Sequence, residues 1–167
     1  MSERVYWIEG AWPGRLAISP RPAGGEWLED EIRSWSRAGV NRVVSLLTPD
    51  EVSYLELARE EEVCQAYNIS FVSFPIDDLG VPDSSVDARA LIAMLERSLA
   101  EGNSILVHCQ GGIGRSGLIT SCVLVRSGIE PSEAMQRAST ARRLCVPETK
   151  EQQQWVREYA DEADTLY

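Results

Sequence analysis

Cys109 and Arg115 are separated by five residues, three of them glycine, and Ser116 follows directly. The run reads His108-Cys109-Gln110-Gly111-Gly112-Ile113-Gly114-Arg115-Ser116-Gly117. Each residue type here has a use in handling a tetrahedral oxyanion. Glycines let a tight loop turn its amides to one side, and successive N–H groups facing one way form an anion nest. A helix beginning where the loop ends adds unpaired N–H groups and the positive end of its dipole. A guanidinium forks onto two phosphate oxygens. A thiol at the mouth of such a field is drawn from about 8.5 into the range of roughly 3.5–7.5. The chemistry expected is a thiolate, Cys109, beneath a phosphate. The backbone of Gln110, Gly111, Gly112, Ile113 and Gly114 and the side chain of Arg115 would hold that phosphate.

The elements that must position these residues lie on either side. An apolar run at 105–107 reads as a short strand, and the apolar segment 118–125 has the length and composition of a helix. Strand, tight loop and helix N-terminus follow one another. The bland alternative is a glycine-rich turn around a buried cysteine. A nucleotide-binding P-loop is excluded, because no Gly-Lys-Ser/Thr is present.

The rest of the chain alternates in the manner of an α/β domain. Residues 5–8 and 16–19 read as two edge strands joined by a turn through Gly10, Pro13 and Gly14. Trp27, Leu28, Ile32 and Trp35 recur at helical spacing over 26–37, and both tryptophans read as core packing. Residues 40–47 read as a buried strand of a parallel sheet. Thr48, Pro49 and Glu51 carry a helix start with a capping box. Residues 52–66 continue as one or two helices, with Glu60, Glu61 and Glu62 read as a solvated face. A strand at 69–74 leads into a turn-rich loop at 75–83. Residues 86–99 form an amphipathic helix. Two further helices are expected, one from Pro131 to about Arg142 and one opening at Pro147-Glu148.

A leaving alkoxide or phenoxide needs a proton as it departs, and the loop at 75–83 offers Asp77 and Asp78. An aspartate pair in such a loop also serves simply to cap a turn. Ser116 can donate to the Cys109 sulfur or act as the N-cap of the helix.

The His-Cys, five residues, Arg, Ser run is the signature of the cysteine-dependent protein tyrosine phosphatases. Its Gly-Gly-Ile-Gly-Arg-Ser-Gly form most resembles the dual-specificity branch, near the kinase-associated phosphatases. The resemblance implies a central, mostly parallel sheet flanked by helices on both faces, with the site at the carboxyl ends of the strands. It implies a phosphocysteine intermediate, with Cys109 as nucleophile, Arg115 as phosphate clamp and Ser116 stabilising the departing thiolate. His108 would order the loop from behind. The acid of such relatives is followed four positions later by proline, which selects Asp78 through Pro82 and leaves Asp77 to shape the loop. The segment 146–155 is similar to the family's glutamine-bearing segment, so Gln152 would place the hydrolytic water. Glu148 stands there where glutamine is common, and the alternative for Gln152 is the solvent face of a helix. Arg142 would be a second anion contact or an ordinary exposed arginine.

Composition bounds the possibilities. The chain has 167 residues, with 44% hydrophobic and 25% charged residues, as expected for a single phosphatase-like domain over 1–167. Net charge is −10, which argues against nucleic-acid or anionic-membrane partners. His108 is the sole histidine, so a multi-histidine metal site is excluded, and neither metal nor organic cofactor is expected. Cys64, Cys109, Cys122 and Cys145 are widely spaced and read as reduced thiols, which together with the absence of a leader pattern predicts a cytoplasmic monomer. Oxidation of Cys109 against one of the other three stays open. The expected substrate is a phosphorylated protein carrying phosphotyrosine, with phosphoserine and phosphothreonine as further candidates. A non-protein ester, such as an inositol phosphate or an RNA 5′ end, is the alternative, as is a non-catalytic phosphate-binding module. The lysines that lipid-directed relatives carry in the loop are missing here.

Overall fold

The structure is a computed structural model that describes residues 4–165. Residues 1–3, where the reading of a leaderless N-terminus begins, and residues 166 and 167 lie outside them. Five short strands form one sheet: β1 (Tyr6–Ile8), β2 (Leu16–Ser19), β3 (Arg42–Ser45), β4 (Ser70–Ser73) and β5 (Ile105–His108). Their order is β1-β2-β5-β3-β4, with β1 antiparallel to β2 and every other pair parallel. All four residues of β5 are buried, as befits a parallel strand covered on both faces. The mostly parallel, two-faced α/β architecture is the one expected. One detail differs: only β1 of the first two strands lies at an edge. All four residues of β2 are buried, so it has no polar side to turn to solvent and pairs with β5 as well.

Among the described residues, seven α-helices cover the sheet: α1 (Leu28–Arg37), α2 (Pro49–Tyr54), α3 (Glu60–Ala66), α4 (Ser85–Ala100), α5 (Arg115–Arg126), α6 (Pro131–Arg142) and α7 (Lys150–Thr165). Leu28, Ile32 and Trp35 of α1 and Val63 and Cys64 of α3 pack with Val43 and Leu106 on one face. Leu91 and Leu95 of α4, Ile119 and Val123 of α5, Ala138 of α6 and Val156 of α7 pack with Ile105 and Val107 on the other. Each such aliphatic side chain contributes about 1.5–3 kcal/mol by leaving water. Helix α5 is buried from Arg115 to Val125, and this encasement fixes the loop that feeds it. Trp27 is 59% exposed rather than core. It lies in a 3-10 turn, Gly25–Trp27, ahead of α1, so it is off the face that Leu28, Ile32 and Trp35 share. Helix α7 begins at Lys150 rather than at Pro147. The hydroxyl of Thr149 accepts the N–H of Gln152 at 3.0 Å, the bond that an N-cap residue makes. Among the described residues, no helix is long and apolar enough to cross a membrane.

Candidate active site

The site starts from the end of β5, where side chains alternate between faces. Val107 and Cys109 turn to the α4–α7 side, and His108 turns to the α1–α3 side. There its ring lies 6.0 Å from that of Trp35. Its Nε2 is 2.6 Å from Oε2 of Glu60, and its Nδ1 is 3.3 Å from the carbonyl oxygen of Cys109. His108 thus lies on the side of β5 away from Cys109, against Glu60 and Trp35. Glu60 overturns a sequence expectation. It is 2% exposed, not part of a solvated face, and only its neighbours Glu61 and Glu62 are exposed. Successive residues on a helix point about 100° apart, so one of three glutamates can face inward while the others face water, and here that one meets the sole histidine.

The loop from Gln110 to Gly114 is held from outside. The carbonyl of Gln110 accepts the N–H of Arg21 at 3.1 Å. The carbonyls of Gly112 and Gly111 accept from Nε and Nη2 of Arg142 at 3.0 and 3.2 Å. In a trans peptide the carbonyl and the next N–H point in opposite directions. The N–H groups of Gly111, Gly112 and Ile113 accordingly face away from Arg21 and Arg142, as a nest requires. Arg142 is itself seated over the ring of Tyr6, 4.5 Å from its centroid. From there it holds the outer side of the loop. Gly112 has φ +70°, and a Cβ there would come 2.5 Å from the nitrogen of Pro20, so only glycine fits.

Arg115 is 1% exposed yet carries a full charge. Its Nη1 and Nη2 fork onto Oε1 and Oε2 of Glu51 at 2.7 and 2.9 Å. Nη1 also donates to the carbonyl of Ile76 at 2.9 Å, and Nη2 donates to Oδ1 of Asp78 at 3.2 Å. Burial works to raise the Glu51 carboxyl, but the hydrogen bonds from Arg115 and Thr48 outweigh it and hold the carboxyl below its ordinary value. Burial likewise opposes the Arg115 charge, and Glu51, Cys109 and Asp78 together more than restore it. Glu51 was expected only as the capping-box residue of α2. It fills that role, its Oε1 accepting the N–H of Thr48 at 3.0 Å, and also grips the guanidinium.

The remaining candidates fall as follows. Oγ of Ser116 is 3.1 Å from Sγ of Cys109. The N-cap of α5 is Gly114, so Ser116 does not cap the helix and its hydroxyl goes to the sulfur. Asp78 reaches Arg115, whereas Asp77 closes a turn through its backbone, its carbonyl accepting from the N–H of Gly80 at 2.8 Å. Gln152 is fully buried, not on a solvent face. Its Nε2 donates to the carbonyl of Gly80 at 3.0 Å, and its Oε1 accepts from the N–H groups of Thr149 and Glu148 at 3.1 and 3.2 Å. A Cβ on Gly114 would lie 2.9 Å from that Oε1, so Gln152 bridges the acid-bearing loop and the glycine loop. Of the other thiols, Cys64 and Cys122 are pushed well up by burial, Cys64 also by Glu60 and Glu61. Among the described residues, no group of three or more His, Cys, Asp or Glu is placed to hold a metal ion.

This geometry has relatives. The chain is 28% identical over 134 residues to cyclin-dependent kinase inhibitor 3 of Rattus norvegicus, covering 79% of this chain and 61% of that protein. The chain thus spans less than two thirds of that relative's length. It is 26% identical over 134 residues to protein tyrosine phosphatase type IVA 3 of Bos taurus, covering 79% of this chain and 72% of that protein. In fold it is similar to a kinase associated phosphatase crystallised with serine in place of its catalytic-site cysteine. The TM-score is 0.86 at 20% identity, over 96% of this chain and 95% of that one. The family model described as the Swiss Army Knife protein, DSP-PTPase phosphatase domain, matches residues 3–163, and the chain belongs to that family.

Proposed function

We infer that this domain is a cysteine-dependent phosphoprotein phosphatase that hydrolyses phosphotyrosine, with phosphoserine and phosphothreonine as further substrates. The observation that carries this reading is the convergence of three groups on one loop. The Cys109 sulfur is within hydrogen-bond distance of the Ser116 hydroxyl, the Arg115 guanidinium is fixed by Glu51, and the Asp78 carboxylate stands 3.2 Å from that guanidinium. The names of the relatives, a protein tyrosine phosphatase and a kinase-associated phosphatase among them, support a protein substrate over a small ester.

The chemistry follows from the placement. A phosphate monoester enters the glycine loop, with its oxygens on the backbone N–H groups and on Arg115. The Cys109 thiolate attacks phosphorus as the ester P–O bond breaks. Asp78, as the carboxylic acid, gives its proton to the departing oxygen. The phosphocysteine is then attacked by water, whose proton returns to the Asp78 carboxylate while the S–P bond breaks. Ser116 donates its hydroxyl proton as a hydrogen bond to the leaving thiolate. Gln152 has one N–H on the carbonyl of Gly80 and a second to orient the water. Asp77 shapes the turn that carries Asp78, and no step calls for a metal or organic cofactor. The domain acts as one cytoplasmic monomeric unit over 1–167, and its net charge of −10 disfavours nucleic acid and anionic membranes as partners.

The test compares wild type with Cys109→Ser on phosphopeptides and inositol phosphates, without added metal. Peptide hydrolysis by wild type, and none by the variant with vanadate binding retained, is the expected outcome. Hydrolysis of inositol phosphates alone would replace the protein substrate by a soluble ester. Undiminished hydrolysis by Cys109→Ser would overturn the mechanism.

A further inference from the structure

Two arginines belong to the glycine loop, and they differ in what balances their charge. Arg115 forks onto Glu51 at 2.7 and 2.9 Å and also meets Asp78 at 3.2 Å. Even with Asp78 protonated, the charges of Arg115 and Glu51 cancel, and nothing positive is left over for a phosphate. Arg142, the last residue of α6, is paired with no carboxylate among the described residues. Its Nε and Nη2 donate to the carbonyls of Gly112 and Gly111 at 3.0 and 3.2 Å. Its guanidinium lies over the ring of Tyr6, 4.5 Å from the centroid. An aromatic face attracts a cation through its quadrupole and leaves the in-plane N–H groups free to reach the loop. Tyr6 itself packs against the apolar core and stands beside Ile18 of β2. The chain just beyond, at Ser19 and Pro20, backs Gly112. Strands β1 and β2 therefore support the outer side of the loop together.

We propose that Arg142, seated on Tyr6, is a positioning residue that lends the phosphate loop an uncompensated positive charge through the backbone. Within one planar peptide the carbonyl and the following N–H point in opposite directions. The Gly111 carbonyl stands back to back with the Gly112 N–H, and the Gly112 carbonyl with the Ile113 N–H. A cation on the carbonyl oxygen polarises the peptide and strengthens the donor at its other end. The charge of Arg142 thus reaches two donors of the nest without touching the phosphate. The Gln110 carbonyl takes only the neutral backbone N–H of Arg21, so the Gly111 N–H gains less. The choice of an aromatic seat follows from the same need. A carboxylate in place of Tyr6 would hold Arg142 as firmly and cancel its charge; a ring holds it and cancels nothing. The inference rests on the loop being a phosphate site, as in the reading above, and is independent of which phosphate ester is hydrolysed.

The experiment measures the affinity for inorganic phosphate from its protection of Cys109 against iodoacetamide, read by mass spectrometry of the Cys109 peptide. Wild type is compared with Arg142→Gln, Arg142→Lys, Tyr6→Leu, Tyr6→Phe and the double variant Tyr6→Leu/Arg142→Gln, with melting temperatures as the check on folding. Arg142→Gln keeps an amide donor without the charge and should weaken phosphate about tenfold. Arg142→Lys keeps the charge and should stay within about threefold of wild type. Tyr6→Leu removes the seat and should weaken phosphate about threefold to tenfold, while Tyr6→Phe keeps the ring and should match wild type within about twofold. The double variant should bind no more weakly than Arg142→Gln alone, because the ring acts only through the guanidinium. Arg142→Gln as tight as wild type, Arg142→Lys as weak as Arg142→Gln, or losses that add in the double variant would each overturn the proposal. Hydrolysis of phosphopeptides by wild type is followed in parallel. Wild type inert on them, with the expected pattern of phosphate affinities, removes the phosphatase reading and upholds this inference; active wild type without that pattern does the reverse.

Discussion

The floor of the site and its rim are built on opposite terms. The floor is buried and fully partnered: Arg115 and Glu51 are 1% and 7% exposed at the side chain, and His108 and Glu60 are 0% and 2%. The rim is wet: the Asp78 side chain is 62% exposed, and Tyr54 and Leu79 are 62% and 54% exposed. The floor must hold polar groups that water would otherwise stabilise, so Arg115 is bonded to Glu51 and His108 to Glu60 within the fold. The rim must give up a proton and meet a substrate of variable shape, which needs access. Substitutions in the floor should therefore cost stability and activity together, whereas those in the rim should cost activity alone.

Glu51→Gln breaks the floor hardest. It leaves a buried guanidinium without its counter-charge, a change that costs about 3–5 kcal/mol of stability, and it frees Arg115 to misorient. Urea melts and vanadate affinity should both fall. The pH dependence has a definite sign. The folded carboxyl of Glu51 lies below its ordinary value, so its contribution is complete above the ordinary carboxylate pKa of about 4.3 and is lost as pH falls through the lowered folded value. Wild type should lose stability in that acid window, and Glu51→Gln should show a flatter profile there. A variant as stable as wild type at neutral pH would deny the floor its structural role.

Asp78→Asn is the matching change at the rim. It should slow hydrolysis of phosphopeptides about a hundredfold while leaving the melting temperature unmoved. Aryl esters with good leaving groups, which need no proton, should be much less affected. An Asp77→Asn variant equally slowed would transfer the acid role to Asp77. Arg142→Ala is the smallest effect and sharpens the boundary between the regions. It removes two hydrogen bonds from the outside of the glycine loop and so should weaken vanadate binding about tenfold without abolishing turnover.

The line between what was legible and what was not follows the same division. Residues 105–117 carry the proposed nucleophile, nest and clamp in one contiguous stretch. Local geometry then fixes their relation, and the structure brings Cys109, Arg115 and Ser116 together as their spacing implies. The capping box at Thr48 was readable for the same reason, being made within one helical turn. Partners from other elements were not readable. Glu51 lies 64 residues from Arg115, Glu60 lies 48 from His108, Tyr54 lies 56 from Gln110 and Arg142 lies 30 from Gly112. A glutamate three residues after Thr48 and one in a run of three each have an adequate local explanation, so nothing in the pattern marks them as buried counter-charges. The one available signal was indirect: a buried arginine must find an acidic partner somewhere.

By itself the sequence carries the proposed chemistry, because Cys109, the glycine loop and the start of α5 are consecutive and fold as one local unit. It determined the class of fold too, because alternating apolar runs and helical periods leave a mostly parallel sheet as the consistent solution. Only the tertiary structure decided which carboxylates are buried and whom they face. It turned Glu51 onto Arg115, Glu60 onto His108 and Asp78 rather than Asp77 toward the guanidinium. It also set the hydroxyl of Tyr54 against the side chain of Gln110. The physical reason is that burial is a property of packed elements: β5 between β2 and β3 brings α2, α3 and the loop after β4 to one end of the sheet, and no local spacing encodes that meeting.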